Sequence, residues 1–203
     1  DLHSFPTRRS SDLFVIAYKQ IFQRLGLGDC TYKTYASGGA FAKYSHEYQT
    51  ITPVGEDVIY INQDQSIILN EEVMNEEVLS DLGAKREDFT PVNAAEVGNI
   101  FTLYYKFSEP IGLKFDDQNG VKKTVFMGSY GIGVSRVMGV IAEKFADDKG
   151  LVWPENLAPF KYYLIGIGEK AEKLCHELHQ KCSDSILLDD RPLRPGEKFA
   201  DAE

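Results

Sequence analysis

Asn119-Gly120, set between extended runs at 113–116 and 121–126, narrows the possible folds more than any other feature of the sequence. An Asn-Gly pair adopts positive φ at little cost and closes a tight two-residue hairpin. Strands joined in this way run antiparallel, which rules out a doubly wound parallel sheet for this part of the chain. Further extended segments are expected at 30–35, 46–52, 58–61 and 97–107, with Ser37-Gly38-Gly39 as a break. Phe14, Ala17, Tyr18, Ile21, Phe22 and Leu25 recur at three- and four-residue steps, so a helix is expected up to Gly26. An acidic helix is expected over 70–81 with Val73, Val78 and Leu79 inward. Another is expected over 134–147 with Val137, Met138, Val140, Ile141 and Phe145 inward. An antiparallel sheet flanked by helices predicts an α+β fold class.

The chain changes character twice. Residues 1–13, DLHSFPTRRSSDL, carry no periodicity and cluster Ser, Arg and Pro, so they read as a non-native scar outside the fold. Beyond the stiff linker Trp153-Pro154-Glu155-Asn156 and Ala158-Pro159, the order becomes strand (162–167), helix (170–181), strand (186–188). That is the opening of an α/β unit. The expected division is a scar at 1–13, a main domain at 14–159 and a truncated second domain at 160–203. Three cysteines are too few for a disulfide scaffold, and no apolar run approaches the roughly 18–20 residues of a membrane span. No apolar leader follows Arg8 and Arg9, so a cytoplasmic protein with no membrane partner is expected. The net charge of -9 argues against non-specific coating of DNA but leaves room for a nucleic acid held by a local basic patch.

Chemistry concentrates in Met127-Gly128-Ser129-Tyr130-Gly131-Ile132-Gly133-Val134-Ser135-Arg136. Glycines at a strand-to-helix turn let the backbone approach a flat or phosphorylated ligand. The helix that follows offers free N–H groups and the positive end of its dipole. Arg136 falls in its first turn, where a guanidinium stacks on a base or bridges phosphate oxygens. The spacing fits neither the dinucleotide fingerprint nor a P-loop, and on spacing alone a plain turn with a surface arginine is an equal reading.

The same stretch, Gly128 to Arg136, resembles motif 3 of bacterial-type prolyl-tRNA synthetases, a family of class II aminoacyl-tRNA synthetases, and Trp153-Pro154 and Ala158-Pro159-Phe160 follow as they do there. Glu96-Val97-Gly98-Asn99-Ile100-Phe101 with Lys106-Phe107-Ser108 is similar to that family's "E-V-G-x-I-F…K-Y-S" strand. Ala36-Ser37-Gly38-Gly39 with Ser45-His46-Glu47-Tyr48 resembles its "S-G…S-H-E-F" segment. Asp189-Asp190-Arg191 and the run from Arg194 to Ala202 resemble its "D-D-R…R-P-G-x-K-F-A-D-A" anticodon-binding segment. The resemblance covers nearly all of 14–203. It implies the second half of a class II antiparallel catalytic domain followed by the start of an α/β anticodon-binding domain, with motifs 1 and 2 missing.

What the resemblance implies about function is specific. ATP activates proline to prolyl-adenylate, and the prolyl group passes to tRNA(Pro). Arg136 and Glu96 would be the catalytic pair, and Glu96, Asn99, Gly131, Gly133 and Arg136 the ATP-binding set, with Glu96 holding Mg2+. His46, Ser129 and Tyr105 would line the amino-acid pocket. Arg191, Arg194 and Lys198 would meet tRNA. The family implies a homodimer for the full-length protein. The residues depart from the family in two places: Ser129 stands where Cys is usual, and Tyr104-Tyr105 replaces a small Gly-Thr pair. The short span between His46 and Glu96 leaves no room for an editing insertion, so mischarged alanine would not be cleared in cis. The fragment by itself is expected to be inactive.

Other clusters have plainer readings. Cys175, His176, His179 and Cys182 share one expected helix, but both cysteines lie on its apolar stripe, so buried thiols beside surface histidines are expected, not a metal site. Glu71, Glu72, Glu76 and Glu77 read as a solvated face. A non-catalytic, tRNA-binding or regulatory paralogue is the rival function, favoured if Tyr104-Tyr105 plugs the amino-acid pocket. Threonyl or glycyl synthetases fit the residues less well.

Overall fold

The computed structural model describes residues 6–39 and 43–202. The first helix begins earlier than its periodicity. Helix α1 (Pro6–Arg24) runs unbroken through positions expected to lie outside the fold, while residues 1–5 fall outside the described set. Proline suits this start, because a first-turn N–H has no helical partner to lose. Ser11 is joined to the body of the protein, its hydroxyl 3.2 Å from that of Tyr130, and the Phe14 ring stacks on Tyr130 at 3.9 Å. Tyr18 and Phe22 then carry the buried stripe one turn apart.

Six strands form the main sheet: β1 (Thr31–Ser37), β2 (Tyr44–Ile51), β3 (Asp57–Asn62), β4 (Ile68–Asn70), β5 (Phe89–Tyr104) and β8 (Met127–Ile132). Their order is β2-β1-β4-β3-β5-β8, and β2 pairs with β5 as well. Every pairing is antiparallel except a single parallel contact, Tyr35 with Leu69. The 16-residue β5 is the spine: its first half pairs with β3 and its second half with β2 and β8. It starts eight residues before the stretch expected at 97 and ends at Tyr104, where φ turns to +51°. One face of the β2–β5 pair is apolar and covered by α1, with Tyr18 and Phe22 packed on Tyr48 at 5.0 and 5.5 Å. The opposite face is polar, and the candidate site lies there.

Two local expectations need correction. The helix expected over 70–81 is two pieces, a 3-10 turn (Glu71–Val73) and α2 (Glu76–Leu82). Each starts at its own asparagine cap: Asn70 accepts from the Glu72 N–H and Asn75 from the Val78 N–H, and Asn75 is fully extended between them. The hairpin strands β6 (Lys114–Asp116) and β7 (Lys122–Thr124) form a separate two-stranded sheet with a longer turn than the Asn-Gly pair suggests. The Asp117 N–H donates to the Val121 carbonyl, leaving a three-residue loop that closes with Gly120 at φ +75°. The Asp117 carboxylate accepts the Asn119 and Val121 N–H groups and lies against Lys123, which together hold its pKa down at about 2.

The chain divides into two compact units, 1–144 and 145–203, with α3 (Val134–Phe145) ending at the division. The linker at 153–159 therefore falls inside the second unit, where the Leu157 and Ala158 N–H groups fold back on the Pro154 carbonyl. That unit holds a βαβ crossover: β9 (Tyr162–Ile165) and β10 (Ile186–Asp189) are parallel and joined by α4 (Glu169–Lys181), and α5 (Pro195–Ala202) follows. Of the two helix-associated thiols, Cys175 is buried as expected, but Cys182 sits past the last turn of α4 and is exposed. Among the described residues no group of three or more His, Cys, Asp or Glu is placed to hold a metal, and no helix is long and apolar enough to cross a membrane.

Candidate nucleotide site

Strand pairing assembles the site. Antiparallel register sets Asn99 of β5 opposite Gly131 of β8, and Gln49 of β2 opposite Glu96. β8 leads directly into α3, whose start is fixed by two bonds: the Gly133 N–H donates to the Val97 carbonyl, and the Val137 N–H to that of Gly133. Arg136 stands in the first turn that results. Glu96, Asn99, Gly131, Gly133 and Arg136 consequently wall one open cleft of about 340 Å³. All five residues expected to bind nucleotide are thus together. A side chain at Gly131 would come 3.3 Å from the Asn99 amide oxygen, so the glycine keeps this wall flat. The Asn99 amide in turn donates to the Glu96 carboxylate at 3.1 Å. A larger hollow of about 620 Å³ beside α2 is lined by Glu76, Lys85, Arg86 and Glu87, charges of both signs with none of the glycine wall or helix start of the first cleft.

The polar face extends beyond these five. Glu47 is paired with Asn99, and its carboxylate accepts from the amides of Gln49 and Asn70, both at 3.0 Å. The Gln49 side chain is fully buried and also donates to Asp57 at 2.8 Å, which leaves its own amide oxygen with no donor. Burial pushes the Glu47 carboxyl up from its ordinary value despite these bonds, and the nearby Glu96 charge adds to the rise. Glu56, at the entry to β3, forms an ion pair with Arg136 at 2.7 Å.

The expected amino-acid pocket is not assembled as a set. His46 lies on the α1 side of β2, one position out of phase with Glu47, because successive strand residues face opposite ways. Its ring meets Tyr35 at 5.1 Å, and Nδ1 is 3.3 Å from the Thr34 carbonyl oxygen. Burial holds its pKa below the ordinary value, with Lys33 adding to the effect. Ser129 is exposed on β8, two residues before Gly131 and on the same face. Tyr105 lies in the turn after β5; it and Tyr104 pack against Phe126 at 5.4 and 5.2 Å, outside the residues that line the cleft.

The three basic residues of the second unit differ among themselves. Arg191 grips Asp189 through two nitrogens at 2.9 and 2.6 Å and reaches Asp201 at 2.8 Å. Tyr163 also donates to Asp189 at 2.8 Å, and these contacts, the arginine first, hold the Asp189 carboxyl well below the carboxylate range. Lys198 is buried and donates to the Asp189 carbonyl at 2.9 Å, so its ammonium faces the interior of the second unit. Arg194 is exposed at the start of α5.

Glu47, Gln49, Asp57 and Glu56 were not among the expected site residues. The first two were within reach of the sequence, since strand alternation puts 47 and 49 on one face and 46 and 48 on the other. No local pattern marks Glu56, which meets Arg136 only through the sheet.

A family model described as "tRNA synthetase class II core domain (G, H, P, S and T)" matches residues 7–145. A proline–tRNA ligase of Ehrlichia chaffeensis is 35% identical over 207 residues, which is 94% of this chain and 48% of that protein. One from Levilactobacillus brevis is 47% identical over 114 residues, covering 53% of this chain and 20% of that protein. The chain spans about half the length of the first of these relatives. Among solved structures, prolyl-tRNA synthetase from Cryptosporidium parvum complexed with L-proline and AMP superposes with a TM-score of 0.60. Sequence identity there is 21%, over 98% of this chain and 36% of that one, so this likeness is one of fold.

Proposed function

The chain belongs to the class II tRNA synthetase core-domain family, and from that premise we propose that it is part of a prolyl-tRNA synthetase: it binds ATP in the cleft between β5, β8 and α3, for activation of proline and transfer to tRNA(Pro). The observation that carries this reading is the convergence of Glu96, Asn99, Gly131, Gly133 and Arg136 on one cleft at a helix start. The relatives at 35% and 47% identity supply the amino acid.

In the first step a carboxylate oxygen of proline attacks the α-phosphorus of ATP, the bond to the β-phosphate oxygen breaks, and pyrophosphate leaves. In the second a terminal ribose hydroxyl of the tRNA attacks the prolyl carbonyl and AMP leaves. Neither step requires a nucleophile from the protein, so positioning and charge stabilisation carry the catalysis. Arg136 provides a planar cation for the adenine face or the phosphates. The free N–H groups at the start of α3 favour negative charge at the same place. Gly131 lets the base lie against backbone. The Glu96 carboxylate, which lines the cleft, would be the hard oxygen ligand for Mg2+, an ion that would neutralise phosphate charge there.

The rival reading as a non-catalytic paralogue rested on Tyr104 and Tyr105 filling a pocket, and both rings turn instead to Phe126. Contact with tRNA is assigned to Arg194 and the exposed edge of Arg191. The homodimer and the cytoplasmic location are proposed with the family. Titration of the chain with MgATP tests the central claim. Saturable binding is expected, weakened at least about tenfold in Arg136→Ala. Equal binding by the two would overturn it.

A further inference from the structure

We infer that Glu56 is a positioning residue for Arg136: its carboxylate holds the guanidinium over the cleft before nucleotide arrives, an inference that rests on the nucleotide reading above. The pair is 2.7 Å long, with side chains 46% and 60% exposed, so it adds little to the stability of the fold. Its anchoring is another matter. The turn that carries Glu56 is fixed to β5 at several points. The Thr52 N–H donates to the Asn93 carbonyl at 3.2 Å, the Asn93 amide donates to the Pro53 carbonyl at 3.3 Å, and the Gly55 N–H closes the turn on Thr52 at 3.0 Å. Gly55 is pressed so close to the Ala94 peptide that an added Cβ would stand 2.2 Å from the Ala94 oxygen. On the other side, Asp57 pairs with Ala94 and is held by the buried Gln49 at 2.8 Å. Glu56 is therefore a carboxylate on a rigid mount, clasping an arginine on a long flexible stem.

An arginine free in solvent loses rotamer freedom when it grips a ligand; one already clasped by a fixed partner loses less. A guanidinium has five N–H donors, so a bond through one terminal nitrogen leaves others for base or phosphate. The cost of immobilising a side chain of this kind corresponds to about two- to tenfold in affinity.

The test is MgATP binding to the full chain by calorimetry, for the wild type, Glu56→Ala, Glu56→Gln and Arg136→Ala, and for the double variant lacking both side chains, with circular dichroism melts as the control for folding. Glu56→Ala is expected to weaken ATP about two- to tenfold with an unchanged melt. Glu56→Gln, which keeps a carbonyl acceptor, is expected to recover much of the loss. In the Arg136→Ala background, removal of Glu56 is expected to have no further effect, since the two act as one unit. Binding by Glu56→Ala as tight as the wild type or tighter would overturn the inference, as would an equal loss in the Arg136→Ala background. Equal binding by the wild type and Arg136→Ala is a different result, which removes the nucleotide reading and the inference together.

Discussion

Burial works against charge at His46. The imidazole is half-buried beside Tyr35, with Lys33 adding repulsion, so the folded protein resists its protonation while the unfolded chain takes the proton near the ordinary value of 6.5. Stability from the neutral ring is present above that value and is lost as pH falls below it. The melting-temperature difference between the wild type and His46→Gln is therefore expected to shrink as pH is lowered from 7.5 through 6.5 to 5. A difference that stays constant over this range would contradict the burial assigned to this ring. One residue along, Glu47 obeys the same physics with the opposite sign, its pKa raised because its charged form is the one that burial penalises. This pair also marks how much of the site could be read from local sequence. Gly131, Gly133 and Arg136 are legible because they lie in one contiguous turn. The Ser45-His46-Glu47-Tyr48 segment identifies a strand without saying which phase of it faces the cleft, and in the structure that phase belongs to Glu47, not His46.

Elements were legible where a single period dominated and were mistaken where capping residues intervened. The run 70–81 has enough apolar positions for one helix, yet Asn70 and Asn75 each start a separate turn. An asparagine that accepts a backbone N–H two or three residues ahead competes with continuing the helix through itself. Asn75→Ala removes the acceptor for the Val78 N–H, and urea unfolding is expected to show a loss of about 1 kcal/mol, typical of a lost N-cap. A gain in stability would mean that the break at Asn75 is imposed from elsewhere. The hairpin makes a related point. Asn119-Gly120 announced the reversal correctly, but Asp117 shifted the closing pair outward by taking two backbone N–H groups onto its carboxylate. Side-chain capture of backbone donors is invisible to periodicity, and in both places it set the boundaries of the elements.

At the scale of the whole molecule, the hairpin behind the antiparallel expectation pairs only with itself, outside the antiparallel main sheet, whereas the second unit was legible because its strand-helix-strand order departs from what precedes it. The role of its basic residues was not. Arg191, Arg194 and Lys198 look alike in a one-dimensional count of charge, but only the structure separates a solvent-exposed cation from one that satisfies a buried carbonyl. Lys198 belongs to the second kind: its ammonium donates to the Asp189 carbonyl at 2.9 Å, beneath the clamp that Arg191 makes on the Asp189 carboxylate. A surface lysine that touches phosphate contributes to salt-dependent binding and little to stability. A buried lysine that closes a hydrogen bond does the reverse, and its loss leaves the acceptor unpaired at about 1–3 kcal/mol. Lys198→Met keeps the apolar stem and deletes the donor. It is expected to lower the unfolding midpoint of the second unit, read by the fluorescence of Trp153, the one tryptophan in the chain. MgATP binding is expected to be unchanged, because every residue assigned to the nucleotide cleft lies in the first unit. An unaltered midpoint together with weaker, less salt-dependent binding of tRNA would return Lys198 to the polynucleotide surface.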